Sequence, residues 1–174
     1  QEKEIALEKC ISFIKGRFTN SKTAEHPIGA VEAATSTSFD DILDCSQRLR
    51  ALIEMSRKES FPLLAGSFKR VMNIIKEQRD GAINQSLLQE KAELELYSAY
   101  QKVSSQAQPL INSKSYQEAL SLILQMKEPI DFFFDKVMVM SDEHDIRENR
   151  LALLSSIAAL FLQVGDFSKM QDQS

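Results

Sequence analysis

The chain has 174 residues, of which 43% are hydrophobic and 26% charged, and carries a formal net charge of -4. That composition excludes a disordered chain and a wholly basic nucleic-acid binder, while leaving room for a local basic face. No apolar run approaches the ~20 residues needed to span a bilayer. The polar start Gln1-Glu2-Lys3-Glu4 lacks a signal segment, so a cytoplasmic protein with no membrane partner is expected. Only five Gly and four Pro occur, which favours helices over turn-rich strands and predicts an all-α fold. We expect one helical domain over residues 1–174, with possible sub-lobes at 1–76 and 86–174.

Leu7, Cys10, Ile11, Ile14 and Phe18 follow the spacing that places side chains on one helical stripe, predicting an amphipathic opening helix. Beyond a polar linker, Pro27 suits a first helical turn, and a brief helix carrying Ile28 and Val31 ends within 33–37. Ser38, three residues before Asp41, reads as a cap for the stripe Phe39, Ile42, Cys45, Leu49, Leu52 and Ile53, which runs to about Arg57. Ser60 and Pro62 open the next helix, with core positions Phe61, Leu64, Phe68, Val71, Met72 and Ile75. Residues 77–85 read as a loop, and a long helix then carries Leu88, Ala92, Leu96, Ala99, Val103, Ala107 and Leu110. Ser115 and Glu118 match a capping box. Pro129 starts a helix bearing Ile130, Phe133, Phe134 and Val137. Ser141, Asp142 and Glu143 cap a last helix that stops at Gly165.

Little in this pattern supports catalysis. Cys10 and Cys45 lie in apolar stripes without a CxxC partner and read as two reduced core thiols. His26 and His144 stand alone on polar stretches, as solvated loop or cap residues. The paired carboxylates fall at helix starts, where negative charge complements the helix dipole. No phosphate loop, dinucleotide fingerprint or nucleophile elbow is present, and neither a metal site nor a catalytic residue is expected.

Charge placement is more informative. Between Gln47 and Arg79 eight basic residues (Arg48, Arg50, Arg57, Lys58, Lys69, Arg70, Lys76 and Arg79) stand against three acids, a local excess of five positive charges in a chain of net -4. A stretch of this kind can attract phosphate. Projected at 100° per residue, Gly66, Arg70 and Asn73 share the side of their helix opposite the apolar stripe. Arg can stack on a base or fork to a phosphate, Asn can pair with a base edge, and Gly admits close backbone approach. A purely structural alternative has Gly66 loosening the helix and Arg70 pairing with Glu77 or water. On the last helix Arg147 and Asn149 flank the core stripe. Arg150 falls inside it, so its charge must be satisfied by an ion pair or by backbone carbonyls. Phe132, Phe133 and Phe134 could offer a stacking surface, but their directions around a helix put at least two in the core.

Two long strings carry a family resemblance. Phe133-Phe134-Asp135-Lys136-Val137-Met138-Val139-Met140 and Arg147-Glu148-Asn149-Arg150-Leu151-Ala152-Leu153-Leu154 resemble the end of the bacterial glycyl-tRNA synthetase beta subunit family. Phe68-Lys69-Arg70-Val71-Met72-Asn73-Ile74 resembles an upstream helix of the same family, and the likeness runs from about Phe39 onward. The resemblance implies an all-helical tRNA-reading module, similar in fold to the anticodon-binding domain of arginyl-tRNA synthetases. It implies glycine tRNA, the alpha subunit and the rest of the beta subunit as partners, and no DNA. It also implies no cofactor on this chain, with ATP and Mg used by the alpha subunit. Glycine codons begin GG, so the last two anticodon positions are cytosines. Gly66, Lys69, Arg70 and Asn73, together with Arg147 and Asn149, are the residues expected to grip the anticodon arm. The competing expectation is a module that docks the subunits with little RNA contact.

Overall fold

A computed structural model describes residues 2–75 and 81–170. Its helices are α1 (Glu2–Thr23), α2 (Ile28–Thr35), α3 (Ile42–Ser56), α4 (Ser60–Ile75), α5 (Lys91–Asn112), α6 (Tyr116–Ile123), α7 (Lys127–Lys136) and α8 (His144–Leu162). Short 3-10 turns occupy Gln85–Leu87, Leu124–Met126 and Phe167–Met170. Among the described residues there is no strand, as the composition predicts, and no helix long and apolar enough to cross a membrane. Part of the expected 77–85 loop lies outside the described residues.

The apolar stripes of α3 and α4 are buried over most of their length, with no exposed surface at Cys45, Leu52, Leu64, Phe68 and Val71, whereas Ile42 at the start of α3 is 44% exposed. Three aromatic contacts hold α4 to the C-terminal end of the chain, and a fourth ties that end together. Phe68 stacks on Phe161 at 5.1 Å between ring centroids, and Phe167 sits 5.5, 5.5 and 5.4 Å from Phe61, Phe68 and Phe161. Phe61 thus meets a residue beyond the end of α8 while Phe68 meets one inside it, so α4 and α8 run antiparallel. The end of α4 and the start of α8 consequently lie at the same end of the bundle. α5 packs on α6, α7 and α8, α6 packs on α3 and α7 on α4, and the buried apolar residues form one cluster from Ala30 to Met170.

Several local expectations change. Helix α3 is capped by Asp41 itself, whose Oδ1 accepts from the Leu43 and Asp44 backbone N–H at 2.9 and 3.1 Å; Ser38 Oγ instead donates to Asp40. The capping box at Ser115 does not form. Lys114 adopts φ 61° in a tight reversal out of α5, and the Ser115 hydroxyl faces that of Ser113 at 3.2 Å. A reciprocal arrangement appears at α5, where the Glu93 carboxylate accepts from the backbone N–H of Gln89 and Glu90 at 3.0 and 2.8 Å.

Helix α1 departs most from its pattern. Phe18 reaches Phe39 at 5.3 Å, but Ile5, Leu7, Ile11 and Ile14 remain 38–60% exposed and Cys10 is exposed as well. Of the two expected core thiols only Cys45 is buried, and burial raises its pKa. The stripe on α1 is real, but α1 packs chiefly on the short α2, which is too small to cover it.

Candidate nucleic-acid interface

Helix α4 presents the expected outward line. Arg70 and Asn73 are exposed, and Gly66 and Lys69 are half-buried. Arg70 does not stand free in solvent. Its guanidinium carbon lies 4.3 Å above the Phe134 ring centroid, a cation–π contact linking α4 to α7. Phe134 itself is buried, edge-on to Phe133 at 5.6 Å. One face of a planar guanidinium is thereby covered and its position held, which leaves the opposite face and the edge N–H groups to act on a ligand. Phe133 and Phe134 belong to the core, as their directions around the helix require; Phe134 is also the platform of an exposed cation, a role that no spacing rule assigns to it.

At the same end of the bundle, Arg147 is folded back on the start of α8. Its Nη1 donates to the Ser141 carbonyl at 2.7 Å, its Nη2 lies 3.1 Å from His144 Nδ1, and its Nε is 4.0 Å from Glu148. Asn149 is only 5% exposed, and its amide makes a two-way pair with the Asn84 backbone, accepting from N–H at 2.7 Å and donating to C=O at 3.0 Å. It pins the segment that follows Gly81 onto α8. A surface hollow of about 530 Å³ lined by Gly81, Asn84, His144, Glu148 and Asn149 opens beside this pin.

Arg150 is satisfied on three sides. Its Nε donates to Glu93 at 2.7 Å, Nη1 to the Met138 carbonyl at 2.8 Å, and Nη2 to Glu90 at 3.0 Å. Burial pushes the Glu93 carboxyl up, but the hydrogen bonds from Arg150 and from the Glu90 backbone outweigh it, so the net pKa is lowered and the group stays ionised. This pair ties α5, α8 and the segment after α7 together.

The basic stretch is only partly a surface. Arg48 is 1% exposed: its Nε meets Asp44 at 3.0 Å, and its other nitrogens donate to the Ala34 carbonyl at 2.8 Å, Thr37 Oγ1 at 2.7 Å and the Ser38 carbonyl at 2.5 Å. Arg50, Arg57 and Lys58 are exposed, whereas Lys76 and Arg79 lie outside the described residues. Among the described residues no cluster of His, Cys, Asp and Glu could hold a metal ion.

The family model for the DALR anticodon binding domain matches residues 65–166 of this chain. The chain belongs to the DALR anticodon-binding family. The match takes in all six of Gly66, Lys69, Arg70, Asn73, Arg147 and Asn149, together with Phe134, Glu93 and Arg150. The DALR region therefore begins inside α4 and leaves α1, α2 and α3 outside it. The chain is 38% identical over 170 residues to the glycine-tRNA ligase beta subunit of Geotalea daltonii, covering 98% of this chain and 25% of that protein. It is 41% identical over 160 residues to the beta subunit of Trichlorobacter lovleyi, covering 92% and 23%. For Myxococcus xanthus the figures are 39% over 171 residues, covering 96% and 24%. The chain spans about a quarter of the length of these relatives.

Proposed function

We propose that this chain is the tRNA-recognition module of a glycine-tRNA ligase beta subunit and grips the anticodon arm of glycine tRNA with the outer face of α4. The observation that carries this reading is the exposed Arg70 guanidinium held at 4.3 Å over Phe134, inside the DALR match and one turn from the exposed Asn73. A guanidinium fixed on one face by an aromatic ring offers its other face to an unstacked base, and Asn73 offers a donor and an acceptor to a base edge. Lys69 supplies charge toward phosphate, and Gly66 lets backbone approach closely.

In this reading Arg147 shapes the turn before α8 while Asn149 acts indirectly, by holding the Asn84 segment. The module has no catalytic residue. ATP and Mg are used on the alpha subunit, the cytoplasmic enzyme assembles from the alpha subunit and the rest of the beta subunit, and neither DNA nor membrane is a partner. Membership of an anticodon-binding family weighs against a module that only docks subunits.

The test is a titration of the chain with glycine tRNA at two salt concentrations, beside the same tRNA altered at its second and third anticodon bases. Tighter binding to the unaltered tRNA, lost on Arg70→Ala, supports the assignment. Equal binding to both tRNAs, unchanged by the substitution, rules it out.

A further inference from the structure

A second concave site lies outside the DALR match, between the end of α1 and the outer face of α3. It is a cleft of about 250 Å³ lined by Lys22, His26, Arg50, Glu54 and Arg57 among others. Arg50 and Arg57 are seven residues apart, two turns along one face of α3. Both are exposed, and among the described residues neither guanidinium has a hydrogen-bonding or ion-pair partner. On the other wall, Lys22 Nζ is 3.5 Å and His26 Nε2 3.9 Å from one oxygen of Glu25. Glu54 is the remaining acid, and its carboxylate accepts a hydrogen bond from Gln117 of α6. Three permanent cations therefore meet two carboxylates, each of which has another partner. Two exposed guanidinium groups without partners that open on one hollow leave their N–H groups available to an anion there.

We infer that this cleft is a second RNA contact, taking backbone phosphates of a duplex stem on Arg50 and Arg57. The two α-carbons are separated by about 10 Å along the helix axis, which is far enough for the two guanidinium groups to reach different phosphates of one strand. Each guanidinium can then fork onto its own phosphate of one strand. α3 passes into α4 through the short turn at 57–59, and Asn73 lies roughly 20 Å further along α4 at 1.5 Å per residue. A stem held at the cleft and a loop held on α4 would be two footholds on one hairpin. The inference rests on the RNA-binding reading of α4 for the class of ligand, but its residues are independent of that face.

The probe is an RNA hairpin with a duplex stem and a loop lacking the glycine anticodon, titrated against the 174-residue chain at two salt concentrations. The double variant Arg50→Ala, Arg57→Ala is expected to weaken binding several-fold whatever the loop sequence. It is also expected to flatten the salt slope by about two, close to one unit for each phosphate that is no longer neutralised. Arg50→Lys, Arg57→Lys is expected to keep most of the slope, and the thermal midpoint should hold in both variants because these side chains are exposed and unpaired. Unchanged hairpin affinity and slope in the Ala variant overturn the inference. So does a result in which only a polyglutamate peptide, or only inorganic phosphate, depends on the two arginines. If the Ala variant loses slope while Arg70→Ala leaves anticodon discrimination intact, the cleft stands and the α4 assignment falls.

Discussion

Arg150 projects from the core stripe of α8 and donates from Nε to Glu93, a residue with no exposed surface, at 2.7 Å. The pair crosses from α8 to α5 and is completed by the Met138 carbonyl and by Glu90. Removing the cation strands a buried carboxylate, so Arg150→Met should cost about 3–5 kcal/mol in urea denaturation. Arg150→Met combined with Glu93→Gln should recover part of that loss, since the buried carboxylate is then gone and Glu90, the other partner, is open to solvent. A smaller loss for the single variant than for the double would contradict this account.

The same pair sets an acid limit. The Glu93 carboxyl is held below its ordinary value of 4.5, so as pH falls the unfolded chain binds a proton at this residue before the folded chain does. The stabilisation from Glu93 is complete above the ordinary Glu range and is lost as pH drops through the lower, folded value. Denaturation midpoints followed from neutral pH down past 4.5 should show a loss that Glu93→Gln reduces.

Arg48 and Arg50 are close neighbours in sequence with opposite fates. Arg48→Met should destabilise the protein by about 3–5 kcal/mol, because Asp44 and the Ala34 and Ser38 carbonyls lose their donor. Arg50→Met should stay within about 0.5 kcal/mol, as for other exposed positions away from such features. Thermal melts of the two variants check the contrast.

Gly165 is needed for close approach. A Cβ there would meet Leu52 Cδ1 at 2.8 Å and the Ala33 carbonyl oxygen at 3.2 Å, and that oxygen cannot easily retreat because it accepts the Asp166 N–H at 3.0 Å. Gly165→Ala should cost about 1–3 kcal/mol by overpacking, read as a lowered denaturation midpoint. The backbone here needs no left-handed conformation, since no described glycine has positive φ.

The two thiols should differ in reactivity. Cys10 is exposed on α1, whereas Cys45 is buried, its thiol pushed up by burial and 3.7 Å from the Ala34 carbonyl. A thiol reagent should label Cys10 within the native protein and Cys45 only after unfolding. Equal labelling rates would contradict the placement of α1.

Much of the fold was legible because helix periodicity and helix ends are local signals. The stripes of α3, α4 and α8 need only i, i+3 and i+4 spacing to declare themselves, and all three are buried as their spacing implies except at Ile42 in the first turn of α3. The inward charge of Arg150 was equally legible, since a cation on a core stripe must find partners. The Gly66–Arg70–Asn73 line follows from 100° per residue, and its outward direction needed no further information.

What periodicity cannot supply is which stripe finds a cover. The stripes on α1 and α3 read alike, yet only the second is buried, because α6 and α2 fold onto α3 while α1 meets chiefly α2. Arg48 looked like surface charge until Asp44, Thr37 and two carbonyls were brought around it by the turn from α2 to α3. Asn149 looked like a free amide until Asn84, 65 residues away in sequence, closed on it. Phe134 became the platform for Arg70, and Ser115 lost its capping role to the reversal at Lys114, through contacts between elements remote in sequence or a backbone conformation that residue spacing does not encode. The sequence by itself determined where helices form and which residues cannot be buried alone. The tertiary structure decided which of those residues are used up within the fold and which, like Arg70, Asn73, Arg50 and Arg57, stay exposed, because burial and pairing depend on neighbours that only the folded chain assembles.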